Sequence, residues 1–135
     1  MIEQTPYEAL GGEETIRMLV DNFYPRVAND PLLSPIFPKD LTPVQEKQFL
    51  FLTQFLGGEP LYSNVHGHPL MRARHLPFKV TPKRAERWLK LMRESMDAIS
   101  LQGHARDFMY ERLIQVAGHM VNSPDDEETE YLATL

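Results

Sequence analysis

The chain is 135 residues long and 42% apolar, with 14 Lys and Arg against 19 Asp and Glu for a formal charge of −5; this suits one domain around one core and argues against a nucleic-acid or polybasic membrane binder. No cysteine is present, which excludes disulfide frameworks, thiolate zinc sites, iron–sulfur clusters and thioether-linked prosthetic groups. Met1-Ile2-Glu3-Gln4 lacks a basic-then-apolar leader pattern and no stretch approaches the roughly 18 apolar residues of a membrane span, so the expectation is a soluble cytoplasmic protein.

Thr-Pro stands at 5–6, 42–43 and 81–82, each time before a segment of helical apolar spacing; threonine can cap the first amides while proline presets the first turn. Glu8 and Gln45, three residues after Thr5 and Thr42, are expected to complete capping boxes. A short helix over about 6–10 stops at Gly11-Gly12. A second begins near Glu13 with Ile16, Leu19, Val20, Phe23 and Val27 on one face, is expected to kink or break at Pro25, and closes at Asn29-Asp30-Pro31. After an irregular proline-rich stretch over 31–41, a third helix runs from Pro43 to Leu56 and stops at Gly57-Gly58.

Residues 59–68 read as a loop, with only a weak alternation at Leu61-Ser63-Val65. Pro69 opens a short helix that Leu76-Pro77 ends, which leaves His75 at a helix terminus. From Pro82 to about Ser100, one broad apolar face carries Ala85, Trp88, Leu89, Met92, Met96 and Ile99; the last helix, about 104–122, is expected to bury Phe108, Met109, Leu113, Val116 and Met120. Helical spans sum to roughly 60% of the chain, about twice the usual share, so the fold class is all-α. Residues 1–124 read as one domain with 14 charges of each sign, and 125–135, holding five acids, as a solvated acidic tail.

No phosphate-cradling glycine loop, H-E-x-x-H or G-x-S-x-G is present, and no Glu is followed three residues later by His. The histidines remain. His66, His68 and His75 admit a three-imidazole metal site, although His66 and His68 also suit an ordinary loop surface; His104 and His119 read as helix-surface residues. His75, followed by Leu76-Pro77-Phe78, is either a satisfied boundary residue or a ligand whose second ring nitrogen is oriented by the Met71 carbonyl four residues earlier. One imidazole cannot hold a bare metal tightly, but it can hold the iron of a haem whose porphyrin supplies four nitrogens.

At 100° per residue, Val44, Gln48, Phe51 and Phe55 fall within about 60° of one another, so Gln48 lies in an apolar seam and needs a polar partner, be it backbone, water or ligand. Tyr24 and Trp88 likewise set polar tips on apolar faces. Of the positive charges, 8 of 14 cluster in Arg72, Arg74, Lys79, Lys83, Arg84, Arg87, Lys90 and Arg93. That cluster reads as a solvated face, with Arg74 and Lys47 available to pair with anionic groups such as haem propionates.

Gly11-Gly12, Phe23-Tyr24, Pro35-Ile36-Phe37-Pro38, Gly57-Gly58, the run Pro69-Leu70-Met71-Arg72-Ala73-Arg74-His75-Leu76-Pro77-Phe78 and Trp88 together resemble the truncated haemoglobins, or two-on-two globins, of group II. The similarity covers almost all of residues 5–122, and Arg-His-Leu-Pro-Phe followed by tryptophan is fairly specific to that group. The resemblance implies a globin-like sandwich of two antiparallel helix pairs, 13–29 with 43–56 and 82–100 with 104–122, around haem b (iron protoporphyrin IX). It implies His75 as proximal iron ligand, with Tyr24, Gln48 and Trp88 as distal donors. Phe37 would pack on the porphyrin edge, Val44 and Phe51 on the distal side, and Met71, Leu76 and Phe78 on the proximal side, while Lys47, Tyr62 and Arg74 would meet the propionates. Where many members carry alanine or threonine, this chain has Val44, which narrows access to the iron and offers no hydrogen bond.

The expected ligands are O2 and other small molecules: CO, NO, peroxide or sulfide. Two charge-directed hydrogen bonds, from Tyr24 and Trp88, would slow O2 loss by roughly 10²–10⁴-fold, which favours sensing, redox or detoxification roles over bulk O2 transport. Peroxidase-like or nitric-oxide-consuming activity with an unidentified reductase rests on the same pocket. An apo helical module that docks a protein through residues 72–93 is the rival from another class. The sequence leaves monomer and homodimer equally open.

Overall fold

The computed structural model describes residues 4–135 and, among them, eight α-helices: α1 (Pro6–Leu10), α2 (Gly12–Ala28), α3 (Thr42–Phe55), α4 (Leu61–His66), α5 (Met71–His75), α6 (Pro82–Ala98), α7 (His104–Met120) and α8 (Glu127–Leu132). A single 3₁₀ turn, Ser34–Ile36, interrupts the stretch between α2 and α3. Helix α2 packs on α3 and on α6, and α6 packs on α7, giving two helix pairs laid across each other; α1 joins α2 to α7, and α5 rests on α7. The buried stripe of α2 (Ile16, Leu19, Val20, Phe23, Val27) meets Phe49, Leu52 and Leu56 of the α3 segment, Met92 and Met96 of α6, and Met109 and Leu113 of α7 in one core. Among the described residues no helix is long and apolar enough to cross a membrane.

Local rules account for most boundaries. Thr5 and Glu8 form the full capping box of α1, and Thr81 accepts the Arg84 amide at the start of α6. Gly11, at φ 113°, ends α1 and starts α2 in a left-handed conformation that a side chain would strain. The second expected capping box is absent. Thr42 lies inside α3 and no side chain caps that helix; Asp40, just before it, accepts the Thr42 amide at 3.0 Å, and the Thr42 N–H and hydroxyl hold the Asp40 carboxyl below its ordinary pKa. Gln45 is drawn away to Asp21 of α2, at 2.7 Å. Pro25 does not break α2: it sits in the last turn, where the one helical acceptor it leaves free is the carbonyl of exposed Asp21, open to water.

Three further expectations are corrected by tertiary contacts. Residues 59–68 are not all loop, because Gln54 grips Ser63 through both amide atoms (2.8 and 2.9 Å) and Tyr62 is buried edge-on to Phe51, which together stabilise α4. Phe108 is exposed on α7 with Arg112 over its ring, since Met109, Leu113 and Ala117 take the inward stripe. The acidic end is not a solvated tail. Its residues fold into α8, capped by Asp126 and packed on α6 with Thr129 buried.

Tail acids also neutralise part of the basic cluster. Lys79 pairs with Asp126, and Lys83 with Glu130 at 3.6 Å, while Arg87 pairs at 2.5 Å with Asp30 of the turn after α2. Arg84 is buried. Half of the positive face imagined as a protein-docking surface is therefore spent inside the chain.

Candidate haem site

Between the two helix pairs lies a cavity of about 150 Å³ walled by α2, α3, α5, α6, α7 and the 33–37 turn. Tyr24, Phe37, Val44, Gln48, Phe51, Met71, His75 and Trp88, all expected at the site, line it. Helical spacing explains the grouping: Val44, Gln48 and Phe51 share one face of α3, and Trp88 follows Ala85 and Arg84 on one face of α6. Phe23 supports both flanking aromatics, edge-on to Tyr24 at 5.0 Å and to Trp88 at 5.1 Å.

His75 Nδ1 lies 2.7 Å from the Met71 carbonyl oxygen. A carbonyl can only accept, so Nδ1 carries the proton, and Nε2 of the neutral ring keeps its lone pair for a metal. No group of three or more His, Asp or Glu able to hold a metal ion exists among the described residues, so His66, His68 and His75 do not form the three-imidazole site. A single available imidazole in an apolar chamber fits a metal that arrives with its own nitrogen ligands.

The other polar tips behave consistently. Among the described residues the Tyr24 hydroxyl, the Gln48 amide and the Trp88 indole N–H make no side-chain hydrogen bond, yet the only fully enclosed side-chain polar atom left without a partner is Thr129 Oγ1. None of the three tips is fully enclosed, and all three residues line the cavity. Burial pushes the Tyr24 pKa up, which keeps its hydroxyl protonated and able to donate.

Residues 5–122 match the Bacterial-like globin family. The group 2 truncated hemoglobin YjbI of Bacillus subtilis (strain 168) is 55% identical over 123 residues, 91% of this chain and 92% of that protein. The chain belongs to the group II truncated haemoglobins. Its structure matches the crystal structure of the group II truncated hemoglobin from Bacillus anthracis at a TM-score of 0.92 and 55% identity, over 94% of this chain and 98% of that one. It also matches a truncated oxygen-avid haemoglobin from Bacillus subtilis at 0.86 and 56%, over 88% and 100%. Membership makes the protein a haem globin that binds O2 and other small gaseous ligands.

In this truncated haemoglobin five of the residues expected at the site lie outside the cavity wall. Lys47 is exposed, and Tyr62 is buried behind Phe51. Arg74 spends its guanidinium on the carbonyls of Pro69, His66 and His68 (2.8, 2.9 and 3.3 Å), 5.6 Å from the Tyr62 ring. Leu76 and Phe78 are 55% and 45% exposed on the loop after His75.

Sequence reasoning missed the lower wall, where Leu33, Val80, Leu113 and Met120 contribute apolar surface and Arg84 a charge. Arg84 is 3% exposed and donates to the carbonyls of Leu32 (2.9 Å) and Lys79 (3.1 Å), with no carboxylate partner among the described residues. Its position one turn before Trp88 was the available signal; its place in a basic run concealed it.

Proposed function

We propose that this globin carries haem b on His75 Nε2 and retains O2 through Tyr24, Gln48 and Trp88, for redox or detoxification use rather than bulk transport. The observation that carries the reading is one apolar cavity lined by a free imidazole lone pair and by three donors that have no hydrogen-bond partner among the described residues. When bound, the haem would supply an iron able to hold a small ligand that carries partial negative charge. Donors already fixed in a water-poor chamber meet that charge without reorganising, and each such bond is worth about 1.5–3 kcal/mol. Tyr24 and Trp88 are braced by Phe23, so their tips are held rather than recruited. The half-exposed Leu76 and Phe78 beside His75 give apolar surface that a flat macrocycle would take out of water. The oxygen avidity of the Bacillus subtilis relative agrees with slow release.

The test begins with hemin reconstitution. His75→Gly is expected to change the iron's coordination spectrum, and an unchanged spectrum rejects His75 as ligand. Tyr24→Phe and Trp88→Phe are each expected to speed O2 dissociation roughly 10- to 100-fold, one charge-directed hydrogen bond apiece, and Gln48→Leu to a smaller degree. Rates unchanged in all three variants would remove the distal network from the account.

A further inference from the structure

Helix α5 carries His75 but is only five residues long, and none of them is buried. It starts at Leu70, held in the left-handed region at φ 43°. Met71 packs against the core, but with no residue of the helix buried its position depends largely on tethers. On one side Arg74 ties it to the carbonyls of 66–69. On the other side the tether is a single side chain just beyond α7.

Asn122 Nδ2 donates to the carbonyls of His75 (3.2 Å) and Phe78 (2.8 Å), and its Oδ1 accepts the Val80 amide (3.0 Å). Its backbone amide donates to the Val80 carbonyl at 2.9 Å, and that of Ser123 to the same oxygen at 3.2 Å. These contacts reach back more than forty residues and span the turn in which the Phe78 amide donates to the His75 carbonyl at 2.9 Å. The job needs a donor and an acceptor on one short side chain, which an amide provides and a carboxylate does not. The chain after it continues the clasp, with Asp125 accepting the Lys83 amide at 3.1 Å and Asp126 pairing with Lys79.

We propose that Asn122 is a positioning residue for the proximal histidine: by holding the backbone of His75 and of 78–80, it sets the imidazole against the cavity and governs how firmly haem is retained. The proposal rests on His75 being the iron ligand. Orientation of a metal-bound imidazole is fixed by what holds its other nitrogen and its backbone, and here the Met71 carbonyl does the first and Asn122 the second.

Asn122→Leu keeps the shape without polar atoms, and Asn122→Asp keeps the acceptor for Val80 but loses both donations. In hemin-loaded protein both variants are expected to lose hemin to excess apomyoglobin roughly ten- to a hundredfold faster, the range typical when groups orienting a metal ligand are removed. Both are also expected to shift or broaden the iron–imidazole stretching line in the resonance Raman spectrum of the ferrous, ligand-free form. Asn64→Asp, on the surface of α4, should change neither. A fall in melting temperature with hemin loss and the Raman line unchanged would reduce Asn122 to a structural role and overturn the proposal. If Asn122→Leu does not fold, the Asp variant decides alone. Should His75→Gly leave the iron spectrum unaltered, the site reading itself fails, a result distinct from inert Asn122 variants.

Discussion

Tyr24 shows how one side chain acquires a function from its surroundings. A phenol in water titrates near pH 10, but this one is buried beside Phe23 and its pKa is pushed up by desolvation. The folded state therefore keeps a proton that the unfolded chain gives up above about pH 10, so the associated stability is complete below that pH and drains away as pH rises further. In a spectrophotometric alkaline titration, Tyr24 should ionise only when the protein unfolds; early ionisation in Tyr24→Phe difference spectra would contradict its enclosure. Arg84 is shaped by its surroundings in another way. Its type suggested solvent, and only the carbonyls of Leu32 and Lys79 converging on it make a buried guanidinium tolerable.

Among elements, α1 and α3 share the same Thr-Pro signal, yet only α1 is capped by a side chain. At α1 the Thr5–Glu8 reciprocity is local and complete, and Thr5→Ala is expected to cost about 1 kcal/mol in denaturant titrations. At α3 a neighbour intervenes: Asp21 on α2 takes the Gln45 amide, so Gln45→Ala is expected to stay within about 0.5 kcal/mol, as surface changes do. A large loss there would restore the capping-box reading. Helices α4 and α8, of six residues each, share this dependence on neighbours. Pieces so short are unstable alone, and Gln54–Ser63 in one case and Lys79–Asp126 with buried Thr129 in the other supply what local propensity lacks. A five-acid run gave no sign of that.

At the scale of the whole molecule, the cavity sits where the two helix pairs would otherwise complete their core. A globin of this size thus leaves part of its interior to be filled by its cofactor. Hemin binding to the folded state alone stabilises it by about 2.7 kcal/mol at a hundred times the dissociation constant, so the melting temperature should climb with hemin concentration. The climb should be smaller in His75→Gly; an equal rise would place the stabilisation elsewhere than at the proximal bond.

The sequence by itself determined the long helices, their apolar stripes and most of their ends, because period, caps and prolines act within a few residues. It also placed the Met71 carbonyl against His75, since that contact spans one helical turn. Through its family motif it named about half of the cavity wall, from Tyr24 and Gln48 to Trp88. Tertiary structure alone decided that three donors would find no partner among the described residues, that Arg84 would be buried, that Arg74 would turn to its own loop and that Asn122 would hold the proximal turn. Each of these depends on atoms brought together from distant parts of the chain, and a polar group's partner is fixed by who arrives beside it, which no local pattern encodes.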